Sequence, residues 1–323
     1  MTLPTGTGAL AAAISNAGGL GTVGSGVFLA DAVSATAKEI RDAKKLTSKP
    51  FAVNFPGTGH EPYWGKAGGL YLADDVSRAG KESGREVYLK TIEIAIEQGV
   101  KIAITSAAPP VAIKGLKDAG MKVIHVVASV EQARQAEAEG ADAIVASGFE
   151  AGGHTTRDEV TLLALLPLVV DAVKVPVLAA GAIVDARSFA AALTLGAEGA
   201  YMGTRFLATH EAPIAQGYKE SIVRAKENDT IIVGRYGRGG RTAKNKVSLK
   251  AAEMERVGAS WDEVKAFYGP RRDKPEFLDE GELIGGFGQG AGRIAEILSC
   301  GEVIRRMVEG VPAVLAAVQS RIL

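Results

Sequence analysis

Residues 143–154 read Ala143-Ile144-Val145-Ala146-Ser147-Gly148-Phe149-Glu150-Ala151-Gly152-Gly153-His154, a short apolar run followed by a glycine-rich turn. The apolar run has the length and composition of a buried strand. The glycines of the turn let the backbone pass close to a flat or phosphorylated ligand, where a Cβ atom would clash. We therefore expect His154 to be presented to a cavity just past the end of a strand. A histidine with only a structural role is the alternative.

The same alternation of strand and helix continues on both sides of this segment. Apolar runs followed by helical patterns predict seven strands, which begin near residues 20, 51, 101, 122, 143, 176 and 199. Strands that alternate with helices and are apolar on both faces are typical of a parallel α/β sheet. No GxGxxG follows the first strand, which argues against a dinucleotide-binding Rossmann domain. The pattern favours a TIM (β/α)8 barrel.

A closed barrel of this kind needs eight strands, one more than the sequence predicts. The chain opens on a helical pattern, Ala9 to Ala17, which ends at Gly18-Gly19. We expect the missing strand to come first, just before Met1. The alternative is a barrel that closes in another way.

A helical lid is predicted after the last strand. The residues that follow Thr204 exceed what one barrel helix needs, and 211–226 and 246–258 have helical patterns. We therefore assign 205–283 to a small lid subdomain that binds substrate, and 1–204 with 284–323 to the barrel. Within the lid, the basic, glycine-rich residues Arg235 to Arg241 form either a solvated loop or a contact with a phosphate or a partner.

Two further segments depart from the simple alternation. The stretch Pro56 to Arg85 is too long for a plain connection, so we interpret it as a functional loop. The final helical stretch, 301–322, contains Gly310 and Pro312, which predict a break into two helices.

Composition excludes several classes of function. Lys+Arg and Asp+Glu are both 37, so no basic field predicts a nucleic-acid partner. The single Cys300 and four histidines exclude a cysteine-based zinc site, and we expect no metal and no disulfide. No apolar run reaches the ~18–20 residues of a membrane span, and Met1 to Gly8 lacks the basic region of a signal peptide. We expect a cytoplasmic enzyme without a membrane partner. A homodimer is compatible with the sequence, which does not report oligomeric state.

Functional groups of such barrels lie at the carboxyl ends of the strands. Small turns, Ala180-Gly181-Ala182 and Gly203-Thr204, follow the last two strands. Turns at these two strands commonly bind a phosphate group through backbone N–H groups. The alternative is that both glycines only allow tight turns.

Polar side chains also occur at or near the ends of earlier strands. Asn54 could hydrogen-bond a ring edge or could be a turn residue before Pro56, and Thr105 ends the next strand. His125 lies within its strand and either contacts a ligand or packs. His154 can take up an acidic C–H proton, because a neutral imidazole titrates near neutral pH. No role is assigned to His60 or His210.

These residues resemble the nitronate monooxygenase (2-nitropropane dioxygenase-like) family, which is related to FMN-dependent enoyl-ACP reductases and an NADH:quinone reductase branch. The resemblance spans nearly the whole chain and rests on Ser15 to Gly21, Val53-Asn54-Phe55, Gly148 to His154, Ala180-Gly181-Ala182, Met202 to Phe206 and Phe287 to Gly292.

The resemblance implies a barrel that holds FMN non-covalently, with His154 as the base beside the flavin. It assigns the FMN phosphate to Gly181, Ala182, Gly203 and Thr204. It assigns the isoalloxazine and the ribityl chain to Asn54, Glu150, Ala151, Gly152 and Gly153. From their positions at or near strand ends, Thr105, His125 and Ala180 are also predicted to bind the cofactor. Thr155-Thr156-Arg157 and the Gly181-Ala182 turn depart from the family pattern, which leaves the substrate open.

Three functions are therefore weighed. The first is oxidation of alkyl nitronates or nitroalkanes with O2. The second is an NAD(P)H-dependent FMN reductase that acts on an enoyl thioester or a quinone. The third is a flavin-free, phosphate-binding barrel.

Overall fold

The structure is a computed structural model and describes residues 5–27, 29, 31–56, 84–106, 110–154, 158–235, 239–272 and 285–322. The predicted functional loop between Pro56 and Arg85 lies almost entirely outside these residues, as do His60 and Thr155 to Arg157. The chain forms two units, one of Met1–Ala146 with Leu168–Leu178 and one of Ser147–Pro167 with Ala179–Leu323.

The first unit contains parallel strands with helices between them. Its elements in chain order are α1 (Gly8–Asn16), β1 (Gly21–Gly24), α2 (Ala32–Leu46), β2 (Phe51–Pro56), α3 (Gly84–Glu97), β3 (Ile102–Ser106), α4 (Pro110–Asp118), β4 (Lys122–Val127), α5 (Val130–Ala138) and most of β5 (Ala143–Ser147). Each strand pairs in parallel with the next strand along the chain. Three elements have residues in both units, namely β5, α6 (Leu162–Ala172) and β7 (Val177–Ala180).

One row of apolar side chains shows that these strands form the core of the first unit. Val23 pairs with Val53, Val53 with Ala103, and Ala103 with Val123, and all four are fully buried. Helices cover strands of this kind on one face while the other faces the interior. Continuous apolar runs are therefore the correct signal for these strands.

The second unit contains the later elements of the chain, including a smaller sheet. Its elements are β6 (Gly153–His154), α7 (Ala186–Thr194), β8 (Gly199–Tyr201), α8 (Thr204–Leu207), α9 (Gln216–Arg224), β9 (Thr230–Val233), β10 (Gly240–Ala243), α10 (Lys246–Arg256), α11 (Trp261–Arg272), a 3-10 helix (Gln289–Arg293) and α12 (Cys300–Ile322). The larger sheet has the order β1-β2-β3-β4-β5-β7-β8. This sequential order confirms the seven predicted strands, while the eighth strand does not occur among the described residues.

Polar side chains cap α5 and α7 at their N-termini. Ser129 accepts a hydrogen bond from the N–H of Gln132, and Asp185 accepts one from the N–H of Ser188. Gln132 Oε1 accepts from the N–H of Ala128 and satisfies a buried backbone donor there.

The predicted break in the last helix is wrong, because α12 runs unbroken through Gly310 and Pro312. A proline has no backbone N–H, so the carbonyl of Val308, four residues before Pro312, lacks its helical hydrogen bond. Val308 is 57% exposed. Water can bond that carbonyl on the solvent side of the helix. Gly310 has a packing role, since a Cβ atom there would lie 2.6 Å from the Cβ of Ala186 in α7.

The region predicted as a helical lid also contains two strands. β9 and β10 are antiparallel, and β10 pairs with β6, so the sheet order is β6-β10-β9. These strands are short and their flanks are polar, and for that reason hydrophobic periodicity did not predict them. In the described parts of the chain, no helix is both long and apolar enough to cross a membrane.

Candidate functional site

The turn after β5 lies beside the end of β7. The N–H of Gly148 donates to the carbonyl of Ala180 at 2.9 Å, and the N–H of Phe149 donates to that of Val160 at 2.8 Å. A Cβ atom at Gly148 would lie 2.5 Å from the backbone nitrogen of Leu162. The turn therefore needs glycine at this position for the chain to pass the first residue of α6.

Glu150 caps a helix with its side chain. Its carboxylate oxygens accept from the N–H of Leu162 at 2.9 and 3.2 Å, at the first residue of α6. A carboxylate at a helix N-terminus satisfies a backbone donor and interacts favourably with the helix dipole. This bond directs the carboxylate of Glu150 toward α6.

The turn after β7 packs directly on the turn after β5. Gly181 has φ of +74°, a conformation that L side chains rarely adopt. A Cβ atom at Gly181 would lie 2.7 Å from the backbone nitrogen of Ala151 and 2.8 Å from the Cβ of Ala151. Ala180 ends β7 and is buried, and Ala182 is half-buried. The structure thus brings together two of the predicted site segments.

The turn after β8 has open space beside it. Gly203 precedes α8, and a Cβ atom built on it would meet no described atom within 4 Å. The next residue, Thr204, accepts a hydrogen bond from the N–H of Gly288 at 2.9 Å. A hydroxyl that accepts one bond can still donate another.

The segment Phe287 to Ala291 joins the three turns. The N–H of Gln289 donates to the carbonyl of Glu150 at 2.9 Å. Cβ atoms at Gly152 and Gly288 would each come within 2.7 Å of backbone atoms of the opposing segment. A Cβ atom at Gly290 would lie 3.2 Å from that of Ala182. Sequence reasoning used this segment only for the resemblance and missed its role as the support of the site. Its repeated glycines were the available signal.

His154 is exposed and lies in the small antiparallel sheet. It pairs with Gly240 of β10, and its neighbour Gly153 pairs with Arg241. Gly153 has φ of +82°, and a Cβ atom there would meet no described atom within 4 Å. A short strand therefore carries the exposed imidazole. Its presentation to a cavity and its catalytic role stay predictions.

Asn54, Thr105 and His125 lie in the first unit. Asn54 is 6% exposed in β2, and its carbonyl accepts from the N–H of Ser25 at 3.1 Å. Thr105 and His125 are opposite each other on β3 and β4, and both are buried. Thr105 Oγ1 lies 2.7 Å from His125 Nδ1. Contact between these three residues and a flavin stays a prediction.

Burial lowers the pKa of His125 from 6.5 to about 4. The charged form of a buried imidazole loses its hydration, and the fold therefore favours the neutral form. A base with so low a pKa is weak at neutral pH, which makes His125 a poorer proton acceptor than an exposed histidine.

The low pKa of His125 predicts an acid-sensitive fold. An unfolded histidine binds a proton near pH 6.5, whereas the folded one does so near pH 4, so stability falls as pH drops through this window. The loss totals about 3 kcal/mol of unfolding free energy. We expect urea denaturation at pH 7, 6, 5 and 4 to show this loss in the wild type. His125→Asn should lack this contribution.

The control for this experiment is His210→Asn, because His210 is exposed. Carboxylates contribute the same pH dependence to all three proteins, so the informative quantity is the difference between wild type and variant. A difference that stays constant from pH 7 to pH 4 would show that His125 is not the group that titrates.

In the described ranges, no group of three or more His, Cys, Asp or Glu side chains is arranged so that it could hold a metal ion. Cys300 is fully buried, and burial raises the pKa of its thiol to about 12. A thiol of this kind is inert as a nucleophile.

Comparison with known proteins identifies the family. Residues 1–310 match the family model described as nitronate monooxygenase. A probable nitronate monooxygenase from Staphylococcus saprophyticus is 34% identical over 262 residues, which are 71% of this chain and 71% of that protein. A probable nitronate monooxygenase from Staphylococcus aureus is 34% identical over 256 residues, 71% of this chain and 70% of that protein.

Solved structures agree with this assignment. FabK from Thermotoga maritima is 34% identical with a TM-score of 0.82, and the match covers 99% of this chain and 93% of that one. Nitroalkane oxidase from Streptomyces ansochromogenes is 26% identical with a TM-score of 0.79, and the match covers 98% and 95%. The predicted TIM-barrel fold and the predicted resemblance are confirmed. The chain belongs to the nitronate monooxygenase family and is an oxidoreductase of that family.

Proposed function

We propose that the chain is an FMN-dependent nitronate monooxygenase that oxidises alkyl nitronates, or the parent nitroalkanes, with O2. One observation carries the proposal. Three strand-end turns, at Gly148 to His154, Gly181-Ala182 and Gly203-Thr204, converge on the segment Phe287 to Ala291 through main-chain hydrogen bonds, the hydroxyl of Thr204 and close packing at Ala182. An exposed histidine stands at the end of the first of these turns.

The donor set at two of these turns fits a phosphate group. In the first turn of α8, the N–H groups of Phe206 and Leu207 donate to the carbonyl of Gly203. In our proposal the N–H groups of Thr204 and Arg205, at the start of the helix, bind the anion, and the hydroxyl of Thr204 can donate beside them. The open space at Gly203 leaves room for an anion where a side chain would stand. Gly181 and Ala182 contribute backbone from the neighbouring turn. No basic side chain is needed, because oriented N–H groups bind phosphate by themselves.

The loop after β5 supplies surfaces for the flat part of FMN. In our proposal the main chain from Glu150 to Gly153 lines the isoalloxazine and the ribityl chain, since the Glu150 side chain is engaged at α6. When bound, FMN would accept electrons from the nitronate and pass them on to O2.

His154 acts as the base in this proposal. The α-carbon of a nitroalkane loses a proton to a nitrogen of the neutral imidazole. The electron pair of the broken C–H bond moves into the nitro group, which becomes the nitronate. The resulting imidazolium then stands beside the anion that it has generated and stabilises it by charge attraction. The exposed position of His154 lets solvent exchange the proton between turnovers.

The visible spectrum of the purified protein is the first experiment. We expect flavin absorbance, and release of FMN, not FAD, on denaturation. Oxygen uptake with a primary nitronate should then be catalytic. A protein that shows no flavin bands even after addition of FMN would favour the flavin-free phosphate-binding barrel and end the proposal.

Anaerobic titration with NADH and NADPH distinguishes the proposed monooxygenase from the second candidate function, an NAD(P)H-dependent reductase. A nitronate monooxygenase should be reduced slowly by a nicotinamide, whereas an NAD(P)H-dependent reductase of an enoyl thioester or a quinone should be reduced within its turnover time. Rapid reduction, together with no oxygen uptake on nitronates, would replace the proposed function by the reductase.

A further inference from the structure

Arg241 is a charged residue in the interior of the second unit. It lies in β10 and is only 4% exposed. Its Nε and Nη2 atoms donate to the carbonyl of Phe149 at 3.2 and 3.0 Å, and Nη1 donates to Thr230 Oγ1 at 3.0 Å. The guanidinium carbon also lies 4.7 Å from the centroid of the Phe149 ring.

These contacts are costly to lose. Burial lowers the pKa of Arg241, and attraction to Glu150 and Glu159 opposes that effect. An arginine keeps its proton even so. Among the described residues, the guanidinium donates its hydrogen bonds to neutral oxygens. The buried cation is therefore held by a carbonyl, a hydroxyl and a ring face. Charge-assisted and cation–π contacts gain strength in such surroundings.

The same residue contacts the other end of the loop through its main chain. Arg241 pairs with Gly153, and Gly240 pairs with His154, in the antiparallel register of β10 and β6. One residue therefore holds both Phe149, where the loop begins, and Gly153, next to the histidine. We infer that Arg241 is a positioning residue that fixes the loop from Phe149 to His154, and with it the imidazole of His154. The kinetic part of this inference rests on the proposed function.

A purely structural role is the competing explanation. Loss of a buried arginine that only fills space would destabilise the whole second unit. Loss of a positioning residue should loosen one loop and displace one side chain. Hydrogen exchange separates the two, because it reports opening segment by segment. It is measured on flavin-free protein and needs no substrate.

Two substitutions and one control test the inference. Arg241→Met keeps much of the apolar stem and removes the guanidinium, while Arg241→Lys keeps the charge without the planar fork. Arg256→Met is the control, because Arg256 is exposed and pairs only with Glu253 among the described residues. We expect amide exchange in residues 148–154 of Arg241→Met to be about tenfold faster or more. Exchange in β1 to β4 should stay unchanged in all three variants.

We expect Arg241→Met to lower kcat strongly and to change KM little. Misplacement of a base by about 1 Å can cost on the order of 100-fold in rate, so kcat of the flavin-loaded Arg241→Met protein should fall by about 10- to 100-fold. KM should change less than about threefold, because substrate binding does not need the guanidinium. Arg241→Lys should recover part of kcat, and Arg256→Met should match the wild type.

The outcomes are distinct. Uniformly faster exchange across the second unit, or unchanged exchange at 148–154, overturns the inference. Faster exchange at residues 148–154 with an unchanged kcat would show that Arg241 does not position His154, and this result would also overturn the inference. If the wild-type protein does not oxidise nitronates, the proposed function fails, while the exchange experiment still decides whether Arg241 holds the loop.

Discussion

His154→Ala is expected to lower kcat/KM for a nitroalkane by about 10²- to 10⁴-fold, the usual contribution of a positioned general base. The reason is the C–H bond of the neutral substrate, which gives up its proton only to a base held within reach. Steady-state oxygen uptake with nitroethane, measured with wild type and variant at equal flavin content, gives the ratio.

The nitronate anion is the internal control for this prediction. It has already lost the proton, so its oxidation does not need a base. We expect His154→Ala to lose far less activity on the nitronate than on the nitroalkane. Equal losses on both substrates would mean that His154 orients the substrate and does not remove the proton. An unchanged rate on the nitroalkane would remove His154 from the mechanism.

His210→Ala is the matched variant, because His210 is also exposed and has no assigned role. It should keep wild-type kinetics. The visible spectrum of both variants should match the wild type, since in our proposal His154 removes a proton and does not hold the cofactor. Loss of flavin from His154→Ala would show a role in binding.

The strands of the larger sheet could be predicted because their signal is local. Val23, Val53, Ala103 and Val123 lie in apolar runs of strand length, and burial on both faces explains the lack of alternation. The strands β6 and β10 have no such signal, whereas β9 (Thr230–Val233) has a short apolar run that was not used. Gly153-His154 becomes a strand only because Gly240 and Arg241, far along the chain, pair with it.

Some features of the candidate site could likewise be predicted from the sequence, and others could not. Glycines such as Gly181, with φ of +74°, mark turns that a sequence reveals. The partners of those turns are tertiary. Arg241 holds the carbonyl of Phe149 across 92 positions of sequence, and the N–H of Gly288 reaches Thr204 across 84. Glu150 was predicted to line the cofactor, and only the fold shows that its carboxylate caps α6.

A second large effect is expected at Gly203. Its φ of −114° is open to any residue, and a Cβ atom there meets no described atom within 4 Å. Gly203→Ala should therefore leave the flavin-free protein as stable as the wild type, or more stable by up to about 1 kcal/mol because the unfolded chain loses freedom. If the FMN phosphate occupies that space, the new methyl group must displace it. We expect the Kd for FMN to rise by at least about tenfold, which corresponds to about 1.4 kcal/mol.

Gly181→Ala supplies the contrast that makes the test decisive. A side chain at φ of +74° costs about 1–2 kcal/mol, and its Cβ atom would meet the backbone of Ala151 at 2.7 Å. This variant should lose both stability and flavin affinity, because it moves the turn after β7 away from the loop after β5. Urea denaturation and fluorescence titration with FMN, on flavin-free protein, measure the two quantities separately. A Gly203→Ala protein that binds FMN as tightly as the wild type would place the phosphate elsewhere. A Gly203→Ala protein that loses affinity without losing stability would indicate a ligand in the open space, since the new methyl group meets no atom of the described residues there.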